Sequence, residues 1–275
     1  MITLSGFADE ISAELDEQLD ILNAESIRYV EFRGVWNKNV LDLTDEQLQE
    51  IKQKMDKEGI RVSAIGSPIG KINITDPFDP HLEKFERAIH IAKFFNTRNI
   101  RIFSFFIKED QKPEDFRDEV IRRMKLLVKR AEEADVLLLH ENEKHIYGDN
   151  AERCRDLLES CSSANLRAVF DPANFVQCGV RPFEEAYPML SAYIDYIHIK
   201  DAKSADGSVT VAGLGDGQIP ELLRALKERN YSGFLSLEPH LQAAGSFAGF
   251  SGPGLFKEAS DGLKRLLADL NWKWQ

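Results

Sequence analysis

Short apolar segments recur at regular intervals along the chain, and each has the length of a buried β-strand. Several are nearly continuous hydrophobic runs, which is typical of parallel strands covered on the outside by helices. The eight segments predicted as strands are Ile2–Ala8, Ile27–Arg33, Ile60–Gly66, Asn99–Phe106, Val136–Asn142, Leu166–Asp171, Tyr193–Lys200 and Gly233–Pro239.

The stretches between these segments carry amphipathic helical patterns with start signals. Thr44 and Gln47 have the spacing of a capping box, and the helix that they open is expected to stop at Gly59. Prolines placed as in a first helical turn begin four more helices, and these are Pro80, Pro113, Pro182 and Pro220.

Strict alternation of strands and helices is compatible with a closed barrel or with an open doubly wound sheet. No GxGxxG motif follows the first strand, which disfavours the open dinucleotide-binding sheet. Eight strand–helix units in 275 residues match one α/β barrel. With no linker or low-complexity tract to divide the chain, the prediction is a single (β/α)8 barrel domain over residues 1–275.

Composition and charge narrow the class of protein. The formal net charge of −11 argues against a protein that must bind a nucleic-acid backbone. The first residues lack the basic and apolar regions of a signal peptide, and no apolar run is long enough to span a membrane. Cys154, Cys161 and Cys178 lack CxxC spacing, so we expect reduced, buried thiols. These features favour a cytoplasmic protein, and an assembly of identical chains stays open.

Four successive predicted strands, the fifth to the eighth, each end in a side chain that can bind a metal; these are Glu141, Asp171, His198 and Glu238. In α/β barrels the chemistry lies at the carboxyl ends of the strands, so the four side chains are expected to meet. Any one of them alone could equally cap a helix or form an ion pair. Together, however, three carboxylates and a histidine in one mouth would repel one another, and their burial would be unfavourable in free energy without a cation.

The ligand set of this predicted site contains three carboxylates, one imidazole and no thiolate. It favours one divalent ion, Mn²⁺ or Mg²⁺, while Co²⁺ and Zn²⁺ stay compatible with the same ligands. Side chains alternate along a strand, so Glu143, Lys200 and His240 should share the inner side with the quartet, whereas His140 should not. Lys71, Lys200 and His240 are candidate donors to substrate oxygens, with a salt bridge at the rim as the alternative for each.

At these strand ends the sequence resembles the xylose-isomerase-like TIM-barrel superfamily, the sugar phosphate isomerase/epimerase group. This group contains D-tagatose 3-epimerase, inosose dehydratase, hydroxypyruvate isomerase and, more distantly, endonuclease IV. The segments that carry the resemblance are Leu139–Asn142, Phe170–Asn174, Ile197–Asp201 and Leu237–His240, with weaker marks at Glu31, Ser67–Lys71 and Gly213–Gly217.

The resemblance implies that Glu141, Asp171, His198 and Glu238 hold the metal. It further implies that the two glutamates exchange protons with a substrate carbon. Lys71, Asn174, Lys200, His240 and Glu31 are the expected substrate-binding residues. At Asn174 the sequence departs from several ketose epimerases, which place there a histidine that contacts the sugar.

The leading hypothesis is a metal-dependent isomerase or epimerase that acts on a small sugar or polyol through an enediolate. A dehydratase of the same superfamily, acting on an inosose or a dehydroshikimate-type substrate, uses similar chemistry. An endonuclease IV-like nuclease would need further histidines, and the third and fourth predicted strands end without one. A non-catalytic sugar-binding barrel would not need both glutamates.

The glycine-rich segment 213–217 lacks a following Lys-Ser or Lys-Thr, so it is interpreted as a turn. Residues 245–252 are interpreted either as a flexible lid or as a plain loop.

Overall fold

Within residues 1–244 and 249–275, which the computed structural model describes, eight parallel strands form a nearly closed (β/α)8 TIM barrel. We number the barrel strands in chain order, β1 to β8. They are Thr3–Gly6, Tyr29–Phe32, Arg61–Ile65, Asn99–Ile102, Leu137–Glu141, Leu166–Phe170, Ile194–Ile199 and Phe234–Leu237. Neighbours in the hydrogen-bonded order are β1–β8–β7–β6–β5–β4–β3–β2. The predicted fold class is therefore confirmed.

Helices in the same described residues surround this barrel, and we number them α1 to α9. They are Leu15–Ala24, Asp45–Glu58, Asp79–Phe94, Arg117–Ala134, Ala151–Cys161, Pro172–Gln177, Tyr187–Leu190, Ile219–Glu228 and Gly252–Asp269. Helix α2 begins as predicted: Thr44 and Gln47 form both hydrogen bonds of a capping box. It ends at Gly59, whose φ of 69° is the left-handed conformation that glycine adopts at low cost.

The fourth strand is shorter than the apolar pattern predicts, because it ends at Ile102 and not at Phe106. The next residues leave the sheet and pair with the loop after β3. The backbone N–H of Phe103 donates to Ile69 O at 2.7 Å, and that of Phe105 donates to Gly70 O at 3.0 Å. Phe103 and Phe105 are buried beneath that loop, so the apolar run continues where the strand does not.

The barrel has a seam between β1 and β2, which are the two ends of the hydrogen-bonded strand order in the described residues. The C-terminal tail lies along β1 at its amino end. Leu4 N donates to Gln275 O at 2.8 Å, and Gln275 N donates to Ile2 O at 3.1 Å. The tail thus satisfies backbone groups on the edge of β1 that, among the residues described, has no neighbouring strand in the sheet.

Three other expectations from the sequence can be compared with the fold. No helix in residues 1–244 and 249–275 is long and apolar enough to cross a membrane. The three cysteines are free, but only Cys154 is buried, whereas Cys161 and Cys178 are half-buried, so the expectation of three buried thiols is wrong for two. Of the segment 245–252, residues 245–248 lie outside the described residues, and Gly249–Phe250 pairs antiparallel with Ala243–Ala244.

Candidate metal centre

Four metal-capable side chains meet at the mouth of the barrel, the end at which the strands finish; they are Glu141, Asp171, His198 and Glu238. One ligand atom from each lies within 4.8 Å of the others, and all four residues are buried. His198 Nδ1 lies 3.3 Å from Glu141 Oε1 and 3.5 Å from Glu238 Oε2. The same nitrogen lies 3.8 Å from Asp171 Oδ2. The structure therefore brings together the whole quartet proposed from the strand ends.

The hydrogen bonding of the quartet fits a bound cation. Within the described residues, Glu141 Oε2, Asp171 Oδ2 and His198 Nδ1 are buried and make no hydrogen bond. Arg101 Nη1 lies 3.3 Å from Glu141 Oε2, and Lys200 Nζ lies 2.8 Å from Asp171 Oδ2, but these are ion pairs without hydrogen-bond geometry. Buried polar atoms are seldom left unpaired, and three carboxylates with one imidazole suit a divalent ion. The residues present thus fit the divalent metal ion that the resemblance implies.

The charges around the quartet keep both of its glutamates ionised. Burial raises the pKa of Glu141, but in the metal-free chain the positive charges of His198 and Arg101 outweigh that effect and lower the pKa to about 2. The pKa of Glu238 also falls well below its ordinary value, because Lys200 and the other nearby cations outweigh burial. Both side chains are therefore carboxylates at neutral pH, the form that binds a cation and accepts a proton.

A second group of possible ligands, Glu10, Glu238 and His240, lies beside the first. His240 Nε2 lies 3.2 Å from Glu10 Oε1 and 3.4 Å from Glu238 Oε1. Here, however, Arg33 places Nη1 2.9 Å from Glu238 Oε1 and Nη2 3.7 Å from Glu10 Oε1. Its guanidinium supplies positive charge to these two carboxylates, and the group offers one carboxylate fewer than the quartet, so the larger donor set favours a cation in the first group.

Comparison with protein families agrees with this architecture. The family of the xylose isomerase-like TIM barrel matches residues 19–266. The chain belongs to this family.

Among similar proteins of known sequence, a 3-dehydroshikimate dehydratase from Bacillus anthracis is 22% identical over 165 residues. That match covers 60% of this chain and 57% of the relative, so it spans little more than half of that protein. A D-tagatose 3-epimerase-like protein superposes with a TM-score of 0.79 at 16% identity, covering 98% of each chain. The IOLI protein with a binding zinc atom superposes with a TM-score of 0.73 at 16% identity, also covering 98% of each chain. At these identities the two solved structures show a shared fold.

Three of the five residues expected to bind substrate in this family member lie directly against the quartet. Lys200 Nζ donates to Glu238 Oε2 at 3.0 Å. Asn174 Nδ2 donates to Glu141 Oε1 at 3.1 Å. His240 lies at the rim, where its side chain is 11% exposed and Nε2 is close to Glu238. All three can therefore influence the two glutamates as well as a bound ligand.

The other two expected substrate residues occupy different depths of the barrel. Lys71 lies at the rim, with Nζ 3.4 Å from Glu143 Oε2 and 4.3 Å from the centre of the Phe103 ring. Glu31 is 1% exposed, and its carboxylate faces His198 Nε2, on the side of the imidazole away from the quartet. Lys71 is thus placed to meet a ligand that enters the mouth, whereas Glu31 is screened from it.

The sequence reasoning missed several charged residues of the mouth, among them Arg33, Arg101 and Glu10. Both guanidinium groups lie over the ring of Phe7, at 4.5 Å and 5.1 Å from its centre, which limits their freedom. The sequence could have indicated Arg101, because it lies inside the largely apolar strand Asn99–Ile102. Burial of an unpaired arginine is unfavourable, so its side chain is expected to point into a polar lumen.

The glycine-rich loop after β7 folds around a buried carboxylate. Asp201 accepts backbone N–H bonds at 2.8–3.0 Å from three glycines, which are Gly213, Gly215 and Gly217. A Cβ at Gly215 would lie 2.4 Å from Asp201 Oδ1, so only glycine allows this approach. These N–H groups are directed at the protein's own carboxylate. The loop is therefore better described as a structural turn than as a phosphate-binding loop.

We expect Asp201→Ala to lower the free energy of unfolding by about 3 kcal/mol, because buried hydrogen bonds to a charged group are lost and their N–H donors are left unpaired. Denaturant unfolding followed by circular dichroism measures the change. Asp206, an exposed residue of the same loop, provides the matched control, and Asp206→Asn should stay within about 0.5 kcal/mol of wild type. An equal, small effect of both variants would show that the carboxylate does not hold the loop.

Proposed function

We propose that the chain is a metal-dependent isomerase or epimerase that acts on a small sugar or polyol. The observation that carries this proposal is the pair of buried carboxylates, Glu141 and Glu238, that both belong to one cation-capable cluster. They come from β5 and from the end of β8, with Asp171 and His198 on the strands between. A small substrate bound at the cluster would therefore have one glutamate near each face.

The reaction needs a proton to leave a poorly acidic carbon next to a carbonyl group. A divalent cation in the quartet would polarise that carbonyl and stabilise the negative charge of the enediolate. Glu141 and Glu238 then serve as the two proton carriers, one taking the proton and the other returning one. Returning it to the neighbouring carbon, while the hydroxyl proton moves from one oxygen to the other, gives isomerisation, and returning it to the opposite face of the same carbon gives epimerisation.

Surrounding side chains hold the two carriers in place for this exchange. Asn174 holds Glu141 through one oxygen, and Lys200 and Arg33 hold the two oxygens of Glu238. Fixed carboxylates lose little freedom when the substrate arrives, which favours proton transfer. Lys71, Lys200 and His240 supply N–H donors around the mouth for substrate hydroxyl or carbonyl oxygens.

The donor set favours Mn²⁺ or Mg²⁺ as the cation. Carboxylate oxygens are hard ligands that suit both ions, and the quartet has no thiolate that would select zinc. Co²⁺ and Zn²⁺ are compatible with the same ligands, and the similar IOLI protein was found with zinc.

A dehydratase reaction is the second candidate, and two observations favour it. The Bacillus anthracis relative is a 3-dehydroshikimate dehydratase. In addition, Arg33 and Arg101 place two guanidinium groups in the mouth, where they could attract a substrate carboxylate. Such an enzyme would remove the same kind of proton and then expel a hydroxyl group from the next carbon. The two candidates differ in substrate and product, not in the metal-binding residues.

Restoring metal to the chelated protein tests the proposal. We expect the metal-free chain to bind about one equivalent of Mn²⁺ or Mg²⁺, the stoichiometry of a mononuclear carboxylate site. Activity should return in proportion on one member of a panel that contains ketoses, inososes and 3-dehydroshikimate. Elemental analysis and product identification by NMR give the two readouts. Two or three tightly held zinc ions per chain would contradict the mononuclear site, and full activity without metal would contradict the mechanism.

A further inference from the structure

Glu31 is a buried carboxylate that the proposed proton exchange does not use. It lies near the end of β2, and its side chain points into the barrel lumen, where it is 1% exposed. The pairing of β2 with β3 shifts at this position: Val30 pairs with Val62 but Glu31 pairs with Ala64, so Ser63 is an extra residue. An irregularity of this kind redirects the neighbouring side chains, and here it accompanies a carboxylate aimed across the barrel.

The target of this carboxylate is the imidazole of His198 on β7. Glu31 Oε2 and Oε1 lie 3.1 Å and 3.3 Å from His198 Nε2, while Nδ1 of the same ring faces the three carboxylates of the quartet. The two ring nitrogens thus have separate surroundings. A histidine that binds a metal must be the neutral imidazole, which carries its proton on one nitrogen and a lone pair on the other, so the partner of Nε2 decides what Nδ1 can offer.

Packing fixes the plane of the same imidazole. The ring of Phe7 meets it edge-on, with centroids 5.2 Å apart and an interplanar angle of 78°. The ring of Tyr196 meets it at 5.9 Å and 86°. With the plane held by two aromatic rings, the hydrogen bond to Glu31 needs only to determine which nitrogen keeps the proton.

We infer that Glu31 is a positioning residue for the metal centre. It accepts the Nε2 proton of His198 and so leaves the Nδ1 lone pair directed at the cation position. Removing the outer partner of a ligating histidine lowers metal affinity because both the tautomer and the basicity of the ring are then less well controlled. The inference rests on the proposed metal centre, and it does not depend on which substrate the enzyme converts.

Metal binding by Glu31→Gln tests this role directly. Gln keeps the size of the side chain and an acceptor oxygen but removes the negative charge. We expect the dissociation constant for Mn²⁺, measured by calorimetric titration of the chelated full chain, to rise about 10- to 100-fold. Glu31→Asp, which restores the charge on a shorter side chain, should recover part of the lost affinity.

Glu143→Gln is the matched control, because Glu143 is another glutamate of the mouth whose ion pair is with Lys71 and not with His198. Its dissociation constant for Mn²⁺ should stay close to that of wild type. Thermal unfolding of the metal-free variants separates a general loss of structure from a specific loss of affinity. An unchanged dissociation constant in Glu31→Gln would overturn the inference. Failure of the proposed function would appear differently, as absent turnover by a wild-type chain that binds Mn²⁺ normally.

Discussion

Glu141→Gln and Glu238→Gln should each reduce the exchange of substrate hydrogen with solvent by at least about a hundredfold, the usual scale of general acid–base catalysis. Gln keeps the size of the side chain and one ligand oxygen but cannot accept a proton. Part of the metal affinity should therefore survive in both variants. Deuterium incorporation from heavy water into the substrate, followed by NMR, measures the exchange, and elemental analysis gives the metal content.

Comparison with Asn174 makes this experiment more specific. Asn174→Ala removes the amide that holds Glu141 Oε1 at 3.1 Å but leaves both carboxylates in place. We expect it to slow exchange less than either glutamine variant does. Near-normal exchange in both glutamine variants with metal bound would contradict the two-carboxylate mechanism. Lys200 or His240 would then be the better candidate for the base.

The second large effect concerns two histidines on different strands, His198 on β7 and His140 on β5, which have opposite predicted outcomes. His198→Ala removes the only imidazole of the quartet, so metal affinity should fall by more than about a hundredfold. About a hundredfold is the largest loss usual when a ligating histidine loses only its hydrogen-bond partner, and here the ligand itself is lost. His140→Ala should keep the metal. Its ring points away from the lumen, with Nε2 3.0 Å from Ser104 Oγ, and burial lowers its pKa to about 4.

Stability must be followed in the same two variants, because both histidines are buried. His140→Ala leaves a cavity that should cost about 2–4 kcal/mol of unfolding free energy, and His140→Gln provides a less disruptive second variant. Metal titration is therefore performed on protein that circular dichroism shows to be folded. Loss of metal in folded His140→Gln together with retention in His198→Ala would mean that the side-chain alternation has been assigned to the wrong faces.

The parts of the site that the sequence predicts are those that depend on local rules. Glu141 and His140 are neighbours in the chain, and alternation along β5 alone separates a residue of the lumen from one that faces the helices. The carboxyl ends of parallel strands meet at one mouth, so ligand types at four successive strand ends already indicate a common site.

Contacts across the lumen could not be predicted in this way. Glu31 and His198 are 167 residues apart, and their contact depends on which inner side chains are long enough to cross the barrel. The shifts of register beside β2 and β7 also leave no trace in the apolar pattern; in the second, Asp195 is the extra residue between Ile194 and Tyr196. The same applies to Arg33, whose partners come from both ends of the chain: Asp9 and Glu238.

The seam between β1 and β2 has a consequence for how the chain could be rearranged. Backbone hydrogen bonds join Gln275 to Ile2 and Leu4, so the first and last described residues lie side by side, at the end of the barrel away from the metal quartet. A short peptide could connect them, and new termini could then be opened in an exposed loop elsewhere. Such a circularly permuted chain should still assemble the mouth, because the order of strands in space would be unchanged.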